Sequence, residues 1–422
     1  MKILVVGGGG REHALVRKLK ESPKVTEIHC APGNAGIAAD AVCVNIKATD
    51  IDAMVAYAAE QAFDLVVVAP DDPLCMGMVD ALEARGIAAF GPNRAAAAIE
   101  GSKVFAKELM QKYGIPTAAH RSFEDASQAI AYIRERNTWP CVVKADGLAL
   151  GKGVIIAQNL EEAEGAVRRM MEEKIFGASG NRIVVEEFLT GPEVSVLAFC
   201  DGKTVVPMVS SMDHKRVYDG NQGPNTGGMG TIAPNPHYTP DMAERCMREI
   251  FLPTVQAMAR EGRPFRGCLY FGLMLTPDGP RVIEYNCRFG DPETQVVLPL
   301  LESDLLDIML ATRNGTLADT PVVWKQGAAA CVVLASGGYP GHYQTGLPIQ
   351  GLEENGQPAQ SGAVVYHAGT RRENGSFVTA GGRVMGVTAV GKTLEDALQT
   401  AYRAAEAISF PGMHYRRDIG RY

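Results

Sequence analysis

The chain has 422 residues, enough for two to four domains with substantial cores. Its 46% hydrophobic and 21% charged content is ordinary for a globular protein, and a net charge of −7 argues against a nucleic-acid partner while leaving room for a local basic cleft. Nine cysteines scattered from Cys30 to Cys331 without a CxxC pair exclude a disulfide framework or zinc ribbon and read as reduced thiols.

The N-terminal run in MKILVVGGGG is too short for a signal-peptide core. No stretch approaches the ~18 apolar residues of a membrane helix. A cytoplasmic protein without membrane contact is expected. KILVVG (2–7) predicts a buried parallel strand, 11–21 a helix, VTEIHCAPG (25–33) a second strand, 50–62 a helix and DLVVVAPDDP (64–73) a third strand. A helix at 77–85 then leads to IAAFGP (87–92). This alternation predicts an α/β doubly wound parallel sheet, which binds ligands beyond the carboxyl ends of its strands.

GSKVFAKELMQKYGIP (101–116) predicts a helix capped by Ser102 and closed by Gly114 and Pro116. A compact α+β module follows, with helices around 124–136 and 160–173 and strands at 140–145, 153–158 and 181–189. Residues 193–215 and 265–289 supply strands of an antiparallel sheet. Between them, 218–240 is a long segment rich in Gly, Pro and Asn, expected to be a functional loop. From about 326 the pattern changes to short strands and Gly-rich turns, ending in a helix at 394–408.

Two glycine-rich segments invite nucleotide readings. In GGGGREHAL (7–15), taking Gly7 and Gly9 as the first glycines of a dinucleotide fingerprint puts Glu12 at the third, where a carboxylate blocks close helix–strand packing. No acidic residue ends the second strand; Ala31, Pro32 and Gly33 stand there. A dehydrogenase is thereby disfavoured. The glycines instead suit a backbone nest for phosphate at a helix N-terminus. DGLALGKGV (146–154) is not a Walker A loop, because three residues separate Gly147 from Gly151, and Gly153 replaces the magnesium-binding Ser or Thr. It reads as a hairpin that folds over phosphates, with Lys144 and Lys152 adding charge.

RVIEYNCRFGDPETQ (281–295) carries the most chemistry. Strand alternation puts Glu284, Asn286 and Arg288 on one face and Ile283, Tyr285 and Cys287 on the other. A carboxylate and an amide oxygen suit magnesium, and Arg288 offers a planar fork for a carboxylate or acyl phosphate. Asp291-Pro292 then reads as an N-cap followed by Pro at the first helical position.

The order Lys144, glycine loop, EEFL (186–189), GPEVS (191–195) and IEYN (283–286) resembles the ATP-grasp fold. The wider ordered set is GGREHAL, APGNAG, KADGLALGKGV, DHKR, GPNTGGMG, NCRFGDPETQ, SGGYPG, HAGT, GGRV and YRRDIG. It resembles the phosphoribosylamine–glycine ligase (glycinamide ribonucleotide synthetase) family from residue 7 to 420. The resemblance implies a phosphoribosylamine-binding domain at 1–101, an ATP-grasp domain at 102–325 with a lid subdomain at about 118–190, and a small α+β domain at 326–422.

It also implies roles. Lys103 and Lys144 would hold ATP phosphates under a lid loop containing Gly147, Gly151, Lys152 and Gly153. Glu186, Glu187, Phe188 and Leu189 would form the adenine hinge, and Glu193 would bind the ribose. Glu284 and Asn286 would ligate magnesium or manganese, and Arg288 would hold the glycine carboxylate. Asp213 and Lys215, with Asn225, Thr226, Gly227 and Gly228, would line the glycine and phosphoribosylamine end. Gly9, Gly10, Arg11, Asn34 and Asp71 would receive phosphoribosylamine, with Arg383 a candidate for its phosphate. His13 and His214 are expected to be hydrogen-bonding scaffold. The chain departs from the family's usual GPEAPL in reading APDDPL, so Asp71 is one methylene shorter than the usual Glu.

The implied reaction is ATP-dependent ligation of glycine to phosphoribosylamine through glycyl phosphate in purine synthesis, by a monofunctional, monomeric enzyme. The alternative keeps the ATP-grasp core with another acid, as a different carboxylate–amine ligase or a carboxylase.

Overall fold

The computed structural model describes residues 1–148, 153–359 and 362–421. The first hundred residues form β1 (Lys2–Gly7), α1 (Gly10–Lys20), β2 (Glu27–Pro32), β3 (Val42–Cys43), α2 (Ile51–Glu60), β4 (Leu65–Val68), α3 (Asp71–Met76), α4 (Met78–Glu83), β5 (Ala89–Phe90) and α5 (Arg94–Gly101). The strands pair in parallel in the order β3-β2-β1-β4-β5. Alternate residues of β1 and β4 feed two cores. Leu4, Val6, Val66 and Val68 pack with Met54 and Leu82, whereas Ile3, Val5, Leu65 and Val67 pack with Leu15 and Leu19. Burial on both faces is why these strands read as unbroken apolar runs. The third strand stops at Val68, not 73. Asp71 and Asp72 start α3 instead, where negative charge complements a helix N-terminus.

The middle of the chain begins with α6 (Lys103–Tyr113), in which Ser102 Oγ accepts the Phe105 N–H and Gly114 closes the helix, as the sequence predicts. Then come β6 (His120–Phe123), α7 (Ala126–Arg136), β7 (Cys141–Ala145), β8 (Val154–Ala157), α8 (Leu160–Met171) and β9 (Ile183–Glu187). Their antiparallel sheet, β6-β9-β7-β8, has a core of its own around Ile133, Val143, Val167, Met170 and Val185. This is the α+β module that the sequence predicts.

Beyond it lie β10 (Glu193–Asp201), β11 (Val205–Pro207), β12 (Met212–Asp213), β13 (Arg216–Tyr218), β14 (Gln222–Asn225), β15 (Gly230–Ala233), α9 (Pro240–Cys246), α10 (Leu252–Arg260), β16 (Arg266–Thr276) and β17 (Gly279–Asn286). The antiparallel order β11-β10-β16-β17 forms the expected wall. Its register shifts opposite Ile283, so Val282 joins Tyr285 and Cys287 in the core, and Ile283 does not. The bulge leaves the alternation beyond it intact.

The last part contains α11 (Thr294–Val297), α12 (Leu305–Asn314), β18 (Ala328–Ala335), β19 (Ala363–His367), β20 (Thr370–Glu373), β21 (Ser376–Thr379), β22 (Arg383–Gly391) and α13 (Leu394–Glu406). Its main sheet runs β12-β15-β18-β22-β19, recruiting two strands from the middle of the chain. The 218–240 segment is therefore not a plain loop: it holds a β13–β14 pairing and strand β15. Asp291 does not cap a helix either. The Asp291–Pro292 bond is cis, α11 starts at Thr294, and the Asp291 carboxylate turns to Arg383 and Gln295.

Candidate active site

The end of β17 gathers positive charge around one carboxylate. Burial opposes ionisation of Glu284, but Lys215, Lys144, Lys103 and Arg288 outweigh it and hold the carboxyl below its ordinary range. Arg288 donates through Nη2 to Asn286 Oδ1 (3.1 Å) and pairs with Glu100 Oε1 (3.3 Å); its buried Nε has no partner among the described residues. Glu284 and Asn286 thus present two hard oxygens on one side of the strand. That set fits magnesium, which completes its shell with water and phosphate. Among the described residues no three His, Cys, Asp or Glu side chains converge as a fuller metal cage. The Glu284 carboxylate is bonded to no side chain among the described residues, and the charges that hold it ionised act from beyond bonding distance.

Lys144 reaches from the lid to the wall. Its ammonium pairs with Glu186 (3.0 Å) and donates to the Ile283 carbonyl (3.1 Å). Lys103, at the start of α6, donates to the Gly147 carbonyl (3.0 Å), and burial depresses its pKa despite nearby Glu284. Gly153 accepts from the Ala145 N–H, closing the base of the glycine hairpin. Gly151 and Lys152 lie outside the described residues. Glu187 ends β9 and takes the Ala119 N–H and Arg281; Phe188 and Leu189 follow outside the strand, Phe188 exposed.

Opposite lies a second charged group. Lys215 pairs with Glu193 (3.1 Å), and that neighbour raises the Lys215 pKa well above its ordinary value. Burial, then Glu293, pushes the Asp213 carboxyl well up, and its buried Oδ1 has no partner among the described residues. Thr226 donates to the Lys215 carbonyl and accepts from Gly228. Gly228 has φ +113, and a Cβ there would stand 2.6 Å from Asp213 Oδ1 and 2.5 Å from Pro292, so the position demands glycine. Asn225 is an exposed end of β14, and the Gly227 N–H donates to Tyr339. Arg383 is locked onto Asp291 and the carbonyls of Gly227 and Asp291.

The N-terminal turn is closer to occupied than the sequence suggests. Gly7 takes φ +119, and Glu12 folds back so that Oε2 accepts the Gly9 N–H (2.6 Å). Arg11 pairs with Glu12 and donates to the Phe289 carbonyl, and its backbone N–H lies 3.4 Å from Asp291. Of the nest expected at Gly9, Gly10 and Arg11, the Gly9 and Arg11 N–H groups already face carboxylates. The Asn34 side chain is likewise saturated, donating to the Gly8 and His367 carbonyls and accepting from Gly36 and Ile37. It ties the turn to the C-terminal part. Asp71 starts α3 and faces Arg288 and Glu100 closely enough to influence both.

Sequence reasoning missed three buried charges. Glu100, at the end of α5, accepts the Cys287 N–H (2.6 Å) besides pairing with Arg288. Lys107 of α6 shares Glu186 with Lys144. Glu293 accepts from Ser195, which also meets Tyr270. The available signal was the adjacency of Glu100 and Lys107 to the Ser102–Lys103 motif. His13 and His214 are scaffold as expected: each accepts a backbone N–H, from His367 and Gly420, and burial keeps both below the ordinary histidine pKa.

Comparison with known proteins adds ancestry to this geometry. Models of the N domain, ATP-grasp (A) domain and C domain of phosphoribosylglycinamide synthetase match residues 1–100, 101–294 and 329–422. A phosphoribosylamine–glycine ligase from Caldanaerobacter subterraneus subsp. tengcongensis is 49% identical over 420 residues, covering 99% of each chain. The crystal structure of the phosphoribosylamine–glycine ligase of Thermotoga maritima superposes with a TM-score of 0.87 at 34% identity, covering 100% of both chains. Biotin carboxylase from Campylobacter jejuni shares the fold alone, at 15% identity and a TM-score of 0.76 over 98% of this chain and 92% of that one.

Proposed function

The chain belongs to the phosphoribosylglycinamide synthetase family, and from that premise we propose how its residues join glycine to 5-phosphoribosylamine. The reaction is an ATP-dependent ligation in purine biosynthesis that yields glycinamide ribonucleotide, ADP and phosphate. A bare carboxylate does not acylate an amine, because oxide would have to leave. In the proposed mechanism a glycine carboxylate oxygen attacks the γ-phosphorus of ATP, and the bond to the ADP oxygen breaks. The phosphoribosylamine nitrogen then attacks the glycyl carbonyl, phosphate departs with its bridging oxygen, and the nitrogen loses a proton.

The residues contribute position and charge. Lys103 and Lys144 hold the triphosphate, the 147–153 hairpin covers it, residues 186–189 receive adenine and Glu193 the ribose. Glu284 and Asn286 would hold magnesium or manganese, which when bound neutralises phosphate oxygens and draws charge from the leaving group. Arg288 takes the glycine carboxylate. The Asp213 oxygen, which has no partner among the described residues, takes an amine, whose N–H groups and positive charge favour the ionised carboxylate. Lys215 and the 225–228 loop close that end. Gly10, Arg11 and Asp71 face phosphoribosylamine, with Asn34 and Arg383 holding the walls around it. Lid closure excludes water from the acyl phosphate.

The observation that supports this reading most is Glu284, ionised by four surrounding cations and bonded to no side chain among the described residues, beside Asn286 and Arg288. In the same proposal the domains are 1–101, 102–325 and 326–422, and the protein is a cytoplasmic monomer that acts on small molecules, without nucleic acid or membrane. No helix among the described residues is long and apolar enough to cross a membrane. Omitting each reactant from an assay of ADP release tests the function: ADP should form fully only with both glycine and phosphoribosylamine. Equal ADP release without glycine contradicts it.

A further inference from the structure

Two ammonium groups meet one carboxylate at the junction between lid and wall. Lys144 (β7) and Glu186 (β9) belong to the lid, Lys107 to α6, and the Ile283 carbonyl to β17. Both lysines stand 3.0 Å from the same oxygen, Glu186 Oε2, and all three side chains are nearly inaccessible to solvent. Lys107 is also anchored from below: it donates to Thr117 Oγ1 (2.7 Å), and Thr117 donates to the Val282 carbonyl (2.7 Å).

We infer that Lys107 is a positioning residue of the nucleotide site: by sharing the Glu186 carboxylate, it leaves Lys144 with uncompensated charge for the ATP phosphates. The inference rests on the reading of Lys144 as an ATP ligand. Counting charge gives its content. Glu186 with Lys144 alone is a neutral pair, and a lysine so matched gains little by turning to a phosphate. With Lys107 included, the buried group carries one net positive charge. Lys107 does not itself reach the phosphates, because its ammonium is held between Thr117 and Glu186. It also ties the Glu186 carboxylate of β9 to α6. Burial lowers the Lys107 pKa to about 8, consistent with a cation that its single shared carboxylate does not fully neutralise.

The test compares wild-type protein with Lys107→Gln, which keeps a hydrogen-bonding side chain without charge, Lys107→Met, which keeps the apolar stem, and Lys107→Arg, which keeps the charge. Affinity for a fluorescent ADP analogue, KM for ATP, KM for glycine and kcat are measured alongside a thermal melt. Nucleotide affinity and KM for ATP are expected to worsen about tenfold in Lys107→Gln and Lys107→Met, with KM for glycine unchanged and most of the loss restored in Lys107→Arg. If neutral variants bind nucleotide like wild type, the inference is overturned while the nucleotide site stands. If Lys107→Arg fails as badly as Lys107→Gln, or only the melt changes, Lys107 is a packing residue and the inference is overturned. Wild-type protein that binds no ADP analogue removes the premise and the inference together.

Discussion

Arg288 shows how little freedom a functional side chain has here. Its guanidinium is oriented by Asn286 Oδ1 and Glu100, and Glu100 is fixed in turn by the Cys287 N–H. Burial raises the Glu100 pKa, so its partners must keep it ionised. Arg288→Met is expected to lower kcat/KM for glycine by roughly 100-fold or more, the usual loss when a charge-stabilising donor is removed. Glu100→Gln, which touches no reactant, should raise KM for glycine by about tenfold through a loosened Arg288. Steady-state kinetics with glycine varied would check both. An unchanged KM in Glu100→Gln would show that Arg288 is positioned without it. Arg288 was legible from strand alternation, whereas Glu100 was not. Its adjacency to Ser102 and Lys103 was the one sign, and an Ala-rich helix does not tell that its carboxylate points inward.

At the scale of elements, β17 illustrates what periodicity can and cannot reveal. Its polar face, Glu284 to Arg288, follows the period of two, but the register shift opposite Ile283 is invisible in RVIEYN. The short strand β15 was hidden for another reason. Four residues inside a Gly- and Pro-rich segment carry too little pattern, and their pairing with β12 and β18 makes them a strand. The same region sets a pH dependence. His367, at the end of β19, is fully buried, bonded to Thr370 and the Gly356 carbonyl, and burial lowers its pKa to about 4. The unfolded chain therefore binds a proton near pH 6.5 that the folded chain refuses until about 4. Stability should fall as pH drops through that window by roughly 3 kcal/mol from this group and then level off. Urea melts of wild type and His367→Gln between pH 4 and 7 would measure it: the variant should show the shallower slope, and identical slopes would contradict the assignment.

On the scale of the whole molecule, the three-part plan was legible because each part has its own pattern: continuous apolar strands, a capped helix and α+β module, then short strands. Less visible was how the parts interlock. The sheet β12-β15-β18-β22-β19 crosses the boundary near 325, and Ala329, Cys331 and Val333 of β18 pack in one core with Phe289 and Val296. A chain cut after 325 strips β15 of its longer partner, β18, and opens that core. It is expected to be insoluble or to melt well below the full chain, and a fragment with the full chain's melting temperature would contradict the shared core. Interlocking also explains why Asp213, on a strand of the C-terminal sheet, stands beside Glu293, and why Asn34 and His13 both bond to His367. The candidate site is assembled by all three parts at once.

Following oxygen from glycine tests the central claim most directly. With both carboxylate oxygens of glycine labelled as oxygen-18, the proposed acyl phosphate hands one of them to the departing phosphate. Released phosphate should carry one heavy oxygen per turnover, and the amide carbonyl should keep the other. Product formed with unlabelled phosphate would mean that the glycine carboxylate is never phosphorylated.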